Sequence, residues 1–459
     1  MKPTDSIFPL PLNSFEQFML EEDDPQYPMT FMLRFCLEGH VQADSLIAAV
    51  KDALVRHPLL NSTIAPHGGR LCWFYRPDLF APIDLNKEHW LPESPWSKPL
   101  DLTKETGLRV WGEAGPDETT VTLLFHHACC DGIGASQFLE DIAVAYARRV
   151  LPESEWPEAR PLEQTRLLTR LEVDGRRVAA LEGSLLHRIR VITWHIVRYW
   201  GQRTEPLKAK IATTGLTAGR RTTDSGILSG VIEKQSFRKL REYAKDSGVM
   251  LNDILVRDLM QTLASYNDSS GGKLSRGRIC ILVPASLRGP GDDQLPATNV
   301  VSYVFLSRSR RELRSLQTTL KTLNDEMAFV HQVQGGWLFI EVLNALSRLP
   351  SLLRWPVRRS RATCMSTAVL SHLGNLLNSI GGRLGTVNGL VRVGNVAMKS
   401  VGCVPPLRRQ TNAVFATYVL NGQLVVSMRT DPHTFDPAES QSLLQKFLDR
   451  LRQTAETRE

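Results

Sequence analysis

The chain has 459 residues, 42% of them apolar and 22% charged, a globular composition that excludes a largely disordered protein. At about 150 residues per domain, taken loosely, this length exceeds one ordinary core and predicts two domains of similar size. Lys plus Arg outnumber Asp plus Glu by 55 to 48, and the net charge of +7 comes without the dense basic, aromatic-interleaved stripe of a nucleic-acid binder.

In chain order, Met29, Phe31, Leu33, Phe35 and Leu37 alternate as one face of a strand, and Leu46, Val50 and Leu54 mark a helix that Pro58 ends. Leu71 to Arg76, Leu108 to Glu113 and Thr119 to His127 read as further strands, followed by a helix from Ala135 to about Arg149. Pattern weakens between about residues 152 and 226, the predicted linker, with domains at 1–175 and 176–459. Beyond it, Phe237 to Lys245 and Asn252 to Tyr266 read as helices, and Arg278 to Pro284 and Val300 to Leu306 as strands. Val414 to Leu420 and Leu424 to Met428 flank Asn421-Gly422, a tight-hairpin signal, and Ala438 to Arg452 closes the chain as a helix. The predicted class is α/β.

Seven cysteines lie scattered from Cys36 to Cys403 without zinc or disulfide spacing, which fits reduced thiols in a cytoplasmic protein. The start, Met1 to Ser6, lacks the apolar stretch of a signal peptide, and no run approaches the roughly 20 apolar residues needed to span a bilayer. Basic stretches at Arg188 to Arg203 and Arg348 to Arg361 suit an acidic cofactor, an anionic membrane or, most simply, water. The apolar series from Trp337 to Trp355, and that from His187 to Trp200, suit either core packing, the commoner case, or peripheral membrane contact.

Chemistry concentrates at His126-His127-Ala128-Cys129-Cys130-Asp131-Gly132, a strand end running into an amphipathic helix. With period two, His127 shares the face of Val121, Leu123 and Phe125, while His126 points the other way. Gly132 and Gly134 are expected to let the chain turn sharply. An imidazole is largely neutral at cytoplasmic pH, so His127 can take a proton from an attacking alcohol or amine. The alternatives are that both histidines are satisfied core residues, or that Cys129 or Cys130 is a nucleophile. A metal site is a poorer account, because adjacent strand residues diverge. Asp131 before Gly is more often structural than catalytic, and if buried it needs a cation. Arg288, following the strand that ends Leu282-Val283-Pro284, offers the fork that satisfies both carboxylate oxygens.

These seven residues match the His-His-x-x-x-Asp-Gly signature of the chloramphenicol acetyltransferase-like acyltransferases, a superfamily that includes condensation domains and wax ester synthase/diacylglycerol acyltransferases. Arg56-His57-Pro58-Leu59-Leu60, Pro99-Leu100-Asp101-Leu102, Leu108-Arg109-Val110, Pro284-Ala285-Ser286-Leu287-Arg288 and Asn299-Val300-Val301-Ser302 resemble further segments in the family order. Ser371-His372-Leu373-Gly374 sits where the family has a Ser-Asn-x-Gly-like strand end, with His372 replacing the asparagine. The Asp-Phe-Gly-Trp-Gly segment of plant BAHD enzymes is absent.

The resemblance implies two chloramphenicol acetyltransferase-like α/β domains in a V with a central tunnel. His127 would be the catalytic base, with His126, Asp131, Gly132 and Arg288 structural at the site and Asn299, Ser302, Ser371 and His372 tunnel-lining. The implied reaction moves an acyl group from an acyl-CoA or acyl-carrier-protein thioester to a hydroxyl or amine, with no bound cofactor. A catalytically idle member that binds a partner or ligand is the competing expectation.

Overall fold

The computed structural model describes residues 6–81, 83–85, 99–171, 203–208, 227–269, 277–289, 291–332, 335–347, 361–376 and 383–457, with isolated positions at 184, 186, 190, 193, 354 and 357–359. The first elements are β1 (Leu10–Pro11), α1 (Ser14–Glu22), β2 (Thr30–Glu38), α2 (Ala43–Arg56), β3 (Ser62–His67), β4 (Arg70–Tyr75), β5 (Ile83–Asp84), β6 (Leu108–Ala114), β7 (Glu118–His126) and α3 (Gly132–Val150). There follow β8 (Ile227–Ile232), α4 (Lys234–Asp246), α5 (Leu251–Ser269), β9 (Ile279–Ser286), β10 (Val301–Arg308), α6 (Leu316–Gln332) and α7 (Gly335–Ser347). The last are β11 (Ala368–Asn375), β12 (Thr386–Val387), β13 (Leu390–Val393), β14 (Val396–Val404), β15 (Ala413–Leu420), β16 (Gln423–Thr430) and α8 (Pro437–Glu456). The class is mixed α/β, as the alternating periodicities predict.

The chain divides into two compact units, and the division is not linear. One comprises Met1–Glu172, Arg288–Val300 and Leu373–Pro406; the other comprises Val173–Leu287, Val301–His372 and Leu407–Glu459. The expected boundary near 175 is a single cut, whereas two later segments return to the first unit.

In the first unit a seven-stranded sheet has the order β12-β13-β14-β2-β7-β6-β5. β7 is interior, antiparallel to β2 on one side and β6 on the other, with Thr30 opposite His126 and Leu108 opposite Phe125. Phe31, Leu33, Phe35 and Leu37 of β2 are all buried, as their alternation requires. β14 extends the sheet by pairing with β2, from Ala397 opposite Glu38 to Val404 opposite Met32. On α2, Leu46, Ala49, Val50, Ala53 and Leu54 form one buried stripe at helical spacing, and the helix lies against α3. Pro58 opens a short 3-10 turn after α2 ends.

The second unit is built on a six-stranded sheet, β10-β9-β11-β15-β16-β8. Its core gathers Leu240, Ile254, Leu259, Phe415, Phe447 and Leu451 from α4, α5, β15 and α8. The β15–β16 hairpin turns at Asn421 and Gly422, with φ of 50° and 78°, the positive values that a primed two-residue turn demands. In α7, Leu338, Ile340 and Leu343 are buried, so this part of the apolar series is core. Leu349, Leu352, Leu353 and Trp355 lie outside the described residues, as does His187 to Trp200 apart from two isolated positions. Among the described residues no helix is long and apolar enough to cross a membrane.

Candidate active site

β7 is buried on both faces, with Val121, Leu123 and Phe125 on one and Thr122, Leu124 and His126 on the other. The strand ends at His126, one residue before the expected end, and His127 to Cys129 form a turn. The His127 amide donates to Met29 O at 2.7 Å, a bond that continues the β2 edge past the strand end. The His127 ring packs 5.1 Å from Phe31, which stacks on Phe125 at 5.0 Å, so it continues the Phe125 face as period two predicts. It is partly exposed, whereas His126 is buried.

His126 faces different neighbours. Its Nδ1 accepts the Ala128 amide at 3.1 Å, so the proton of the neutral ring sits on Nε2, 3.6 Å from Asp23 Oδ2. Asp23 Oδ1 accepts the Met29 amide at 2.7 Å, which ties His126 to the residue whose carbonyl holds His127.

Asp131 is the N-cap of α3, which starts at Gly132, three residues earlier than expected. Its Oδ1 accepts the Gly134 amide at 2.8 Å, and Oδ2 accepts the Val300 amide at 2.9 Å. Arg288 closes a two-pronged pair on it, Nη1 to Oδ2 at 2.7 Å and Nη2 to Oδ1 at 3.0 Å. Burial works to raise the Asp131 pKa, but the Arg288 charge and these hydrogen bonds outweigh it, and the carboxyl is held below its ordinary value. The expected Asp131–Arg288 partnership is therefore present as geometry.

Gly132 and Gly134 lie in the first turn of α3 without positive φ, and the chain turns at His127 to Cys129 instead. At both glycines the lack of a side chain serves close packing. A Cβ on Gly132 would stand 2.7 Å from Leu373 Cδ2, and one on Gly134 would stand 3.1 Å from the Thr298 amide nitrogen. Cys129 and Cys130 are fully buried, and burial pushes both thiols well above their ordinary pKa, which disfavours a thiolate nucleophile. Among the described residues no cluster of three or more His, Cys, Asp or Glu is placed to hold a metal ion.

Asn299 is fully buried and spans the turn, its Nδ2 donating to His127 O at 2.8 Å and to Ala128 O at 2.9 Å. This bracing was not legible in sequence, where Asn299 is only a candidate lining residue. Ser302, Ser371 and His372 belong to the second unit. Ser302 is fully buried and donates to Gly336 O at 2.8 Å, so its hydroxyl is engaged with α7. Ser371 and His372 are half-buried on β11; His372 Nδ1 lies 2.9 Å from Thr417 Oγ1, and burial depresses its pKa. Sequence reasoning also missed His57 and Asp141, whose rings and carboxylates meet across 84 residues at 2.9 Å. The single signal was the Arg56-His57 pair at a helix end.

No family model matches the chain. It is 30% identical over 153 residues, 30% of its length, to CymA of Salinispora arenicola, a probable non-canonical nonribosomal peptide synthetase, and spans 2% of that protein. Among solved structures, the first condensation domain of the CDA synthetase superposes with a TM-score of 0.66 at 15% identity, covering 95% of this chain and 92% of that one. A mutant starter condensation domain of rhizomide synthetase, in complex with C8-CoA and Leu-SNAC, gives 0.66 at 13% identity, covering 99% and 96%. The chain has the condensation-domain fold. Two α/β units of this fold are what the His-His-x-x-x-Asp-Gly resemblance implies. The condensation-domain fold also carries other activities: the epimerization domain of the third module of tyrocidine synthetase B superposes with a TM-score of 0.64 at 15% identity, covering 97% and 95%. Function therefore has to be argued from the site.

Proposed function

We propose that the chain is an acyltransferase of the condensation type, in which His127 is the general base that activates an amine or hydroxyl acceptor against an acyl thioester. The observation that carries this is the half-buried His127 imidazole on a turn braced at its amide by Met29 O and at its carbonyl by Asn299, beside the Asp131–Arg288 pair. A base held this way loses little entropy when it meets its substrate.

In the reaction, the acceptor N–H or O–H attacks the thioester carbonyl as its proton passes to the imidazole. The tetrahedral intermediate then expels the thiolate, which takes the proton back from the imidazolium, so the base is regenerated. Each step balances without a metal or prosthetic group. The complex of the rhizomide synthetase domain with C8-CoA and Leu-SNAC supports an acyl-CoA donor and an aminoacyl thioester as acceptor, and a carrier protein could present either in trans. Asp131 shapes the turn through Arg288 and moves no proton, because its carboxyl is held ionised.

The test is thiol release from a panel of acyl-CoA and acyl-carrier-protein donors against mixed amines and alcohols, with His127→Ala beside the wild type. Loss of about 10²-fold or more in kcat is expected, the size of a lost general base. Release unchanged in the variant would sink the assignment, and no release with any donor would favour the idle, ligand-binding reading.

A further inference from the structure

The four residues just before β10, Ala297 to Val300, are buried yet form no strand, so their polar groups need partners elsewhere. Each of the four residues has at least one hydrogen bond to the candidate site or to the helix end beside it. The Ala297 amide donates to His57 Nδ1 at 2.7 Å. Thr298 O accepts from Arg288 Nη2 at 3.1 Å, Asn299 braces His127 O and Ala128 O, and the Val300 amide donates to Asp131 Oδ2. The strap is thus tied to the His127 turn along most of its length, and its leading end is tied to a histidine outside the motif.

His57 is fully buried. Because Nδ1 accepts an amide, the ring carries its proton on Nε2, which donates to Asp141 Oδ2 at 2.9 Å. Arg56 Nε holds the same carboxylate at 2.8 Å, so Asp141 has two partners and the ring orientation is determined at both nitrogens. Asp141 lies on α3, ten residues after its N-cap Asp131, about 15 Å along the helix. The strap is therefore moored to α3 at two separated points, through His57 to the helix body and through Asp131 to its start. A row of rings runs alongside: His57 meets Phe138 edge-on at 5.4 Å, Phe138 meets Phe125 at 6.1 Å, and Phe125 stacks on Phe31, against which His127 packs.

We propose that His57 is a positioning residue for His127: by accepting the Ala297 amide while anchored on Asp141, it sets the strap that braces the His127 turn. The proposal rests on the reading of His127 as the base, and a shift of about 1 Å in such a group costs on the order of 10²-fold in rate.

Two polar variants separate the two ring nitrogens. His57→Asn places a carbonyl oxygen near the Nδ1 position and keeps an acceptor for Ala297, whereas His57→Gln reaches Asp141 and loses that acceptor. With C8-CoA and Leu-SNAC, or whichever pair the wild type turns over, His57→Gln should lower kcat about tenfold or more with KM little changed, and His57→Asn should restore most of it. Amide exchange gives an arm independent of turnover: His57→Gln should speed exchange at Gly134 and Val300, whose amides Asp131 holds, while Val121 to Phe125 stay protected. Equal kcat in the two variants, or faster exchange confined to Ala297, overturns the proposal. If the wild type turns over no donor, the acyltransferase reading fails and the exchange arm alone decides the mooring.

Discussion

At Asp131 a single carboxylate caps a helix, receives the amide of a residue 169 positions away and pairs with Arg288 while almost fully buried. Removing one partner of such a pair leaves the other charge buried without compensation, a cost of about 3–5 kcal/mol. Arg288→Met should therefore lower the unfolding free energy obtained from urea titration by that amount at pH 7, and a change near zero would mean that Asp131 is satisfied by its amides alone. The neighbouring thiols make a second expectation. Cys129 and Cys130 are buried and their ionisation is suppressed, so a maleimide at pH 7 should modify Cys36, which is partly exposed, well before either. Native-state labelling followed by peptide mapping reads this directly.

Among the elements, the β15–β16 hairpin and α8 are those whose ends the local chemistry specifies most closely. Gly422 sits at φ 78°, where a Cβ is strained, so Gly422→Ala should cost about 1 kcal/mol in thermal or urea unfolding. α8 begins with Asp436 as N-cap, Pro437 at its first position and Glu439 returning a bond to the cap. Asp436→Ala should cost about 1 kcal/mol, and Asp436→Ser much less, because serine can still accept the Glu439 amide. The histidine strand differs: β7 is stabilised by neighbours on both edges rather than by its own alternation alone.

For the whole molecule, buried titrating groups give the stability a particular pH profile. Burial lowers the His57 pKa below its ordinary 6.5, so as pH falls through 6.5 the unfolded chain binds a proton that the folded one refuses, and stability drops. Burial works to raise Asp141, but its bond to His57 and the Arg56 charge outweigh it and hold it down at about 2, and Asp131 is likewise below 3.8. Both carboxylates stabilise the fold fully above about pH 4 and lose that contribution as pH falls toward their folded values. Urea unfolding from pH 8 to pH 3 should show both declines, and His57→Asn should shrink the upper one together with the Asp141 share of the lower, leaving the share of Asp131, which His57 does not touch; an unchanged upper decline would show that His57 does not cause it. Legibility follows the same division between near and far. Period two announced β2 and β7 and the 3.6 period announced α2, because each pattern records which face of a local element is buried, and Asn421-Gly422 announced the hairpin because those residues tolerate positive φ. Arg288 was reachable as well, since a buried carboxylate calls for a forked cation. The addition of β12 to β14 to the first sheet, the strap at Ala297 to Val300 and the His57–Asp141 contact were not. Their partners lie from 84 to more than 300 residues away, and a residue's periodicity says that it is buried without saying against what. The motif's residue types thus came from local order along the chain, whereas the bracing of His127 came from packing, where hydrogen-bonding groups left over by distant segments had to find one another to be buried at all.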